Sequence, residues 1–329
     1  MFKASHTWGL PLLAILALLA LLASVLVGSV EISWSGAARA LFNDGDDLTR
    51  TVLLQIRLPR ALSAFAVGSL LGLAGVLLQA LFRNPLADPF VLGVSGGAAV
   101  GALAGMLLGA GWAGLHFFAG AGALTIALLT FALGRGGGVL RLLLTGVLLA
   151  SACGALTSIM LAVADNAQLR GMVFWLAGDL SWSQQPGLYL AAAALATLLA
   201  LLFARHLNLL AAGELRSASL GLDTRRTRLL VFSAAAMLTG MAVLSAGPVG
   251  FVGLVAPHLM RLAFATSDHR VVAPAAALCG GTLVCVADIL SRTLAPPRQL
   301  PIGALMALIG TPVFLLLLRH AARSGVSDG

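Results

Sequence analysis

The sequence predicts an all-α integral membrane protein, a bundle of ten transmembrane helices that forms one domain over residues 1–329. Hydrophobic residues make up 60% of the chain and charged residues only 10%. A soluble domain of this length could not bury so much apolar surface in one core, whereas a bilayer accepts apolar side chains all round a helix. The charged residues also fall between long apolar stretches, where the loops of a membrane protein are expected.

Ten apolar segments account for the predicted spans, since a helix needs about 20 residues to cross the hydrocarbon core. In chain order they cover residues 10–29, 61–82, 91–110, 114–133, 142–164, 188–204, 229–246, 247–264, 271–290 and 302–318. The eighth segment is short and contains Pro248 and Pro257, so the pattern alone leaves a choice between nine and ten helices.

The distribution of loop charge favours ten. With ten helices, 13 of the 20 basic residues share one side: Lys3, Arg83, Arg135, Arg141, Arg205, Arg216, Arg225, Arg226, Arg228, Arg261, Arg270, Arg319 and Arg323. The other side holds Arg39, Arg50, Arg57, Arg60, Arg170, Arg292 and Arg298, with the acids Glu31, Asp44, Asp46, Asp47, Asp165 and Asp179. By the positive-inside rule both termini are then cytoplasmic, whereas nine helices would place the carboxyl-terminal arginines outside.

The first apolar segment has an alternative interpretation as a cleaved signal peptide, with Ala23 or Gly28 near the cleavage site. Its apolar run is longer than the 7–15 residues typical of a signal, and further spans follow it. We therefore expect a retained helix.

Composition excludes several other classes. The net charge of +8 comes from arginines spread between apolar stretches, which indicates orientation in the membrane rather than nucleic-acid binding. Lys3 is the one lysine, so the chain has no Walker-type phosphate loop and any ATP must be bound by another chain. The cysteines lie in apolar segments and the histidines are scattered, so we predict neither a catalytic site nor a metal site.

Glycines recur at every fourth residue in the third segment: Gly93, Gly97, Gly101, Gly105 and Gly109. Such a ridge lets another helix backbone approach closely. With Gly68 and Gly72 on the preceding helix, the pattern predicts tight helix packing rather than chemistry.

The longest polar interruption on the cytoplasmic side covers residues 205–228, RHLNLLAAGELRSASLGLDTRRTR. The stretch 209–222 predicts a short helix with breaks near its ends at Gly213 and Gly221. A helix lying across the cytoplasmic face is suited to contact a soluble motor domain, although many cytoplasmic loops share this pattern.

Three further segments are informative but open. In 81–97, Pro85 and Pro89 predict a rigid turn between two spans. In 247–261, the prolines predict either a broken helix that lines a pathway or a packing kink. Arginines on the external side, in QIRLPRAL and ADILSRTL, indicate an acidic partner, headgroup contacts, or a local pair of Asp288 with Arg292 at i, i+4 spacing.

Six motifs in order resemble the FecCD-type ABC transporter permease family: QIRLPR, LFRNPLADPFVLGVSGGAAVGA, GELRSASLGL, GFVGLVAPHLMR, ADILSR and QLPIGALMALIGTPVFLLLL. The resemblance runs from about residue 55 to the end of the chain. It implies the type II ABC importer permease fold, import of ferric siderophores, haem or cobalamin, and location in the bacterial inner membrane.

The resemblance also implies roles for individual residues. The ATPase coupling loop matches Gly213, Glu214, Leu215, Arg216, Ser217, Ala218, Ser219, Leu220 and Gly221. The arginines that dock a periplasmic binding protein match Arg57, Arg60 and Arg292, and the cytoplasmic gate matches Asn84 and Leu86. Both gates are those of the family's cobalamin permease, and its second gate carries hydroxyl residues just before the fifth helix, where this chain departs with Val139 and Leu140.

The implied assembly has a second permease copy, two ATP-binding subunits and one periplasmic substrate-binding protein. The chain itself would bind no cofactor, and ATP and Mg would be used by the partner ATPase. Ferric siderophore is placed first as cargo on family breadth, then cobalamin, then haem.

An ion-coupled secondary transporter is the main alternative from another class. Such proteins need ionisable groups inside the membrane, and here Asp288 is the one acid well inside a predicted span. A membrane enzyme is disfavoured, because no paired carboxylates or nucleophile motif is present.

Overall fold

The computed structural model describes residues 6–28, 39, 47–134, 136, 138–182 and 185–325, without the side chains of residues 6, 7, 139, 182, 214 and 316–325. The described part of the chain is helical and contains no strand. The helices are α1 His6–Leu26, α2 Asp47–Thr51, α3 Leu58–Phe82, α4 Val94–Leu107, α5 Trp112–Gly134, α6 Gly138–Val163, α7 Asn166–Leu176, α8 Pro186–Leu202, α9 Ala204–Ala211, α10 Glu214–Ser219, α11 Thr224–Ala246, α12 Val252–Phe264, α13 His269–Thr293 and α14 Ile302–Gly325. A π-helical turn, Val52–Arg57, leads into α3, and short 3-10 turns occupy Pro89–Leu92 and Leu180–Trp182.

Each of the ten predicted spans overlaps one long helix, and the multi-pass α-helical class is confirmed. Among the described residues six helices are long and apolar enough to cross a bilayer, and a seventh forms if α8 and α9, bent by 66°, count as one span. The apolar parts of α4, α12 and α14 are shorter. The count of ten therefore stays a prediction.

Helix α3 is the central element of the bundle. In its most apolar stretch of 18 residues, 89% of the residues are buried, compared with 11% in the corresponding stretch of α6 and 22% in that of α5. Helices α11 and α13 pack along α3, and α8 and α12 complete its surroundings. A helix that is apolar all round and buried belongs to a protein core, whereas exposed apolar helices such as α6 face lipid or another copy.

The predicted glycine contacts form two tight helix pairs. A Cβ at Gly68 or Gly72 of α3 would collide with the backbone carbonyl of Gly280 or Ala276 on α13. Gly97 and Gly101 of α4 meet the backbone of α5 in the same way, whereas a Cβ at Gly109, which lies beyond the end of α4, would meet no atom within 4 Å. Small residues thus let backbones touch, as the ridge predicted.

The irregular segment around Pro248 precedes α12 instead of breaking it. Gly247 has φ 66° and Phe251 has φ 67°, and the helix then runs from Val252 through Pro257. The Asp179 N–H donates to the carbonyl of Ala246 at 2.8 Å, which ties this segment to the loop after α7.

Candidate functional site

Two arginines and an aspartate form a buried charge cluster at the end of the bundle that loop charge assigns to the exterior. The side chain of Asp288, in α13, is fully buried. Its Oδ1 accepts a hydrogen bond from Nε of Arg60 at 2.7 Å, and its Oδ2 lies 2.9 Å from Nη2 of Arg292. The local pair allowed by the i, i+4 spacing is therefore formed, and Arg60 joins it from α3.

Arg292 and Arg57 also close the C-terminal end of α1. Nη2 of Arg292 donates to the carbonyl of Ser24 at 2.8 Å and Nη1 to that of Val27 at 3.0 Å. Nη1 of Arg57 donates to the carbonyl of Leu26 at 2.8 Å. The last carbonyls of a helix lack intrahelical donors, and a cation there complements the helix dipole. These contacts hold α1 as part of the bundle.

The burial of these arginines was not expected from sequence, which placed them at the external entrance of the bundle. Arg57 is 5% exposed and Arg292 is 6% exposed, because both guanidinium groups turn inward to carbonyl and carboxylate acceptors. The side chain of Arg60 is 12% exposed, and its Nη1 donates to Oε1 of Gln299 at 2.9 Å near the surface. Their role in docking a binding protein stays a prediction.

The predicted gate residues Asn84 and Leu86 lie in an exposed turn between α3 and α4. Oδ1 of Asn84 accepts a hydrogen bond from the N–H of Leu86 at 2.9 Å, and the N–H of Ala87 donates to the Asn84 carbonyl at 3.1 Å. Leu86 is 43% exposed. The turn is therefore rigid and holds an apolar side chain outward, where it can close against another surface.

Gln79 holds this turn against α12, and sequence reasoning missed it. Its Nε2 donates to the carbonyls of Ala87 at 3.4 Å and Gly253 at 3.3 Å, and Nη1 of Arg261 donates to its Oε1. Pro257 has no backbone N–H, so the Gly253 carbonyl lacks its helical donor, and the Gln79 amide supplies one. The available signal was a single amide side chain in the apolar run of α3.

Residues 213–221, called the coupling segment below, are mostly exposed in the 205–228 loop, apart from the buried Ser217. Helix α10, Glu214–Ser219, is shorter than the predicted 209–222, because Gly213 with φ 110° separates it from α9. Gly221 with φ 79° ends it. Both predicted breaks are thus present, and each needs a backbone conformation that favours glycine.

Two large apolar side chains of the coupling segment face outward. Leu215 is 88% exposed and Leu220 is 66% exposed. Apolar side chains at the tip of a polar loop gain about 1.5–3 kcal/mol each when a partner buries them. The segment therefore has the surface of a docking element, although the side chain of Glu214 lies outside the described residues.

The second-gate position is only partly visible. Leu140 is 68% exposed in the first turn of α6. The side chain of Val139 lies outside the described residues, and the role of this pair stays a prediction.

A cavity of about 700 Å³ lies between α7 and the loop after α13. Its lining includes Arg170, Arg298 and Asp179. Two cations against one acid leave it electropositive, on the side that loop charge assigns to the exterior. The sequence showed these residues only as loop charges.

A comparison with known protein families identifies the family of this chain. The model of the FecCD transport family matches residues 15–320. The chain belongs to the FecCD transport family. It is thus a membrane-spanning permease of the ABC transporter class, and the resemblance seen in the six motifs is confirmed.

Two curated relatives cover nearly the whole permease. It is 40% identical over 323 residues to the vitamin B12 import system permease protein BtuC of Escherichia coli O17:K52:H18 (strain UMN026 / ExPEC), with 94% of each chain covered. It is 39% identical over 328 residues to the hemin transport system permease protein HmuU of Yersinia pestis, covering 95% of this chain and 96% of the relative.

Solved structures agree on the fold. One, described as an inward-facing conformation of a metal-chelate type ABC transporter, has a TM-score of 0.84 at 30% identity, with 96% of the permease and 99% of that chain covered. PsaBC from Streptococcus pneumoniae has a TM-score of 0.56 at 16% identity, which shows likeness of fold alone.

Proposed function

We propose that this permease is the membrane-spanning subunit of an ATP-driven importer that moves a metal chelate from the periplasm to the cytoplasm. The observation that carries the proposal is the near full-length similarity to two importer permeases, at 40% and 39% identity. The metal-chelate description of the neighbour at TM-score 0.84 supports the same class of cargo.

The cargo within this class is a separate question. The two relatives are named for vitamin B12 and for hemin, and their nearly equal identities favour neither. The cargoes to test are therefore those expected from the sequence, with ferric siderophore first, cobalamin second and haem third.

The coupling segment is the proposed contact with the partner ATPase. Its exposed leucines, Leu215 and Leu220, would be buried in a cleft of that subunit, which would bind ATP and Mg. ATP binding would close the motor dimer and shift the bundle between outward- and inward-facing states, since a ligand moves an equilibrium through its different affinity for the two states.

The opposite end of the bundle is the proposed site of the periplasmic binding protein. Arg60, the most accessible of the three arginines, would meet acidic groups of that protein, whereas Arg57 and Arg292 would reach such groups only by leaving their inward contacts. The electropositive cavity beside Arg170 and Arg298 lies on the same side and supports cargo arrival there. Both termini would then lie in the cytoplasm of a bacterium, with the permease in the inner membrane.

The test is uptake into proteoliposomes that contain the permease, its ATPase and its binding protein. Radiolabelled ferric siderophore, haem and cobalamin are offered in parallel, with and without internal ATP. We expect ATP-dependent accumulation of one cargo. Uptake that needs no ATP and is abolished by an uncoupler would contradict the proposal and support an ion-coupled secondary transporter.

The same vesicles test the coupling segment through Glu214→Arg. We expect normal membrane insertion and loss of cargo accumulation, because the reversed charge opposes the fit of α10 in the ATPase cleft. Asp165→Arg is the matched control, since Asp165 is an exposed acid at the end of the bundle that loop charge assigns to the exterior. Equal uptake by wild type and Glu214→Arg would remove the segment from this role.

A further inference from the structure

The side chain of Asn208, on α9, joins that helix to the start of α13. Its Nδ2 donates a hydrogen bond to Oδ1 of Asp268 at 2.8 Å. Its Oδ1 accepts from the backbone N–H of His269 at 3.0 Å and lies 2.6 Å from Nδ1 of the same residue. One amide thus makes three polar contacts with the first residues of a helix 61 positions away in the chain.

The chemistry of these partners fixes the orientation of the amide. A carboxylate only accepts and a backbone N–H only donates, so the NH₂ of Asn208 must face Asp268 and its oxygen must face His269. Oδ1 of Asp268 also accepts from the N–H of Arg270 at 3.0 Å, which caps α13. The hydrogen bonds from the Arg270 N–H and from Asn208 lower the pKa of Asp268, so this acceptor stays ionised.

The coupling segment is attached to the same stretch of α9. Ser217, in α10, is fully buried, and its Oγ lies 2.6 Å from the carbonyls of both Leu209 and Gly213. Leu209 directly follows Asn208. The contact of α10 with α9 therefore lies at the residue next to the one that contacts α13.

The apolar contacts of α9 are less directional than this connection. Ala204, Leu207 and Leu210 are buried in the bundle and hold α9 on it. The hydrophobic effect is non-directional, so it favours burial of this face without choosing a specific polar partner for it. The three directional contacts of Asn208 set the register of α9 on the first turn of α13.

Helix α13 connects the two functional ends of the bundle. It is 25 residues long, which corresponds to roughly 38 Å at 1.5 Å per residue. Its first residue is held by Asn208, and its last turns carry Asp288 and Arg292. Along its length it packs on α3 through the glycine contacts.

We propose that Asn208 is a positioning residue for transport, the joint through which the coupling segment moves α13. The inference rests on the proposed function and extends it, because it names the contact that carries the motion of the ATPase into the bundle. A residue of this role is needed for coupling but not for insertion or ATP hydrolysis. Coupling must be shown by measurement, since spatial intermediacy alone does not establish it.

The first test measures the ratio of cargo accumulated to ATP hydrolysed in proteoliposomes of the complete complex. Asn208→Leu keeps the size of the side chain and removes all three contacts, so we expect the ratio to fall by about 5-fold or more, the factor that corresponds to a coupling free energy of about 1 kcal/mol. His206→Ala, on the exposed side of the same helix, should keep the wild-type ratio. Asn208→Asp, which sets a second carboxylate against Asp268, serves as the second variant if Asn208→Leu assembles poorly.

A double-mutant cycle separates a joint from a general loss of stability. If Asn208 acts through Asp268, the loss in the double variant Asn208→Leu/Asp268→Ala should be smaller than the sum of the losses in the two single variants. Three outcomes would overturn the proposal. The ratio of uptake to hydrolysis could stay unchanged in both Asn208 variants, or the losses of Asn208→Leu and Asp268→Ala could add fully in the double variant. Uptake and ATP hydrolysis could also fall together because the complex no longer assembles.

A second readout needs no cargo and remains valid if the proposed cargo class is wrong. Spin labels at Ser219→Cys and Arg270→Cys, both exposed, report the distance between α10 and the start of α13 in the full chain in nanodiscs. The native cysteines Cys153, Cys279 and Cys285 are buried. We expect a narrow distance distribution that broadens with Asn208→Leu and not with His206→Ala. An equally narrow distance distribution in the otherwise unchanged chain, in Asn208→Leu and in His206→Ala would overturn the proposal.

Discussion

At the scale of single residues, three polar side chains in the bundle each form a hydrogen bond with a backbone group that has no partner within its own helix. Gln79 serves the carbonyl freed by Pro257, Asn208 serves the start of α13, and Arg292 serves the end of α1. In a low-dielectric interior an unpaired polar group costs several kcal/mol, so each of these side chains has a specific partner to meet.

Asp288→Asn is expected to destabilise the permease by about 3–5 kcal/mol. The amide keeps the shape of the side chain but leaves the guanidinium groups of Arg60 and Arg292 buried without a counter-charge, and breaking a buried ion pair from one side is strongly destabilising. Thermal unfolding in detergent measures the loss, with Asp165→Asn as the exposed control. Unfolding at the wild-type temperature would show that the cluster contributes little.

At the scale of elements, the bundle depends on helices whose backbones touch. Helix α3 is apolar along its length, so hydrophobicity does not specify which neighbour it takes. The glycines supply that choice, because Gly68 and Gly72 admit the backbone of α13 and no bulkier surface would fit there. The coupling segment shows the opposite use of glycine, where Gly213 and Gly221 delimit a short exposed helix.

Gly68→Ala should lower the stability of the permease by about 1–3 kcal/mol, because the added methyl group meets the carbonyl of Gly280 and forces α3 and α13 apart. Gly154→Ala on α6 is the matched control, since no atom lies near the added methyl group. The control should be neutral or more stable by up to about 1 kcal/mol through helix propensity. Chemical unfolding of the two variants in the same detergent compares them, and equal stabilities would contradict the close contact.

At the scale of the whole molecule, the burial of the helices is uneven. Helix α3 is enclosed, whereas α5 and α6 present apolar side chains outward along most of their length. Lipid accounts for such surfaces as well as a partner does. A permease of this family also needs a translocation path between helices, and one chain with a closed centre at α3 favours a path between two copies.

The assembled transporter is expected to contain two copies of this chain. Native mass spectrometry of the complex should show two subunits of 33.5 kDa beside the ATPase subunits. Mixing populations with two different tags before solubilisation distinguishes a preformed dimer from chance sharing of a micelle. A complex with one copy, or with one copy and a different permease chain, would contradict the homodimer.

The sequence by itself determined the membrane class, the approximate positions of the long apolar helices and the family, because apolar length and ordered motifs are local properties of the chain. It also placed Gly213, Gly221 and the Asp288–Arg292 spacing correctly, since turns and i, i+4 pairs depend on neighbours in sequence. Only the tertiary structure decided that Arg57 and Arg292 turn inward onto α1, and that Asn208 meets His269. Those contacts join residues tens to hundreds of positions apart, and periodicity contains no information about which distant backbone group a side chain will satisfy.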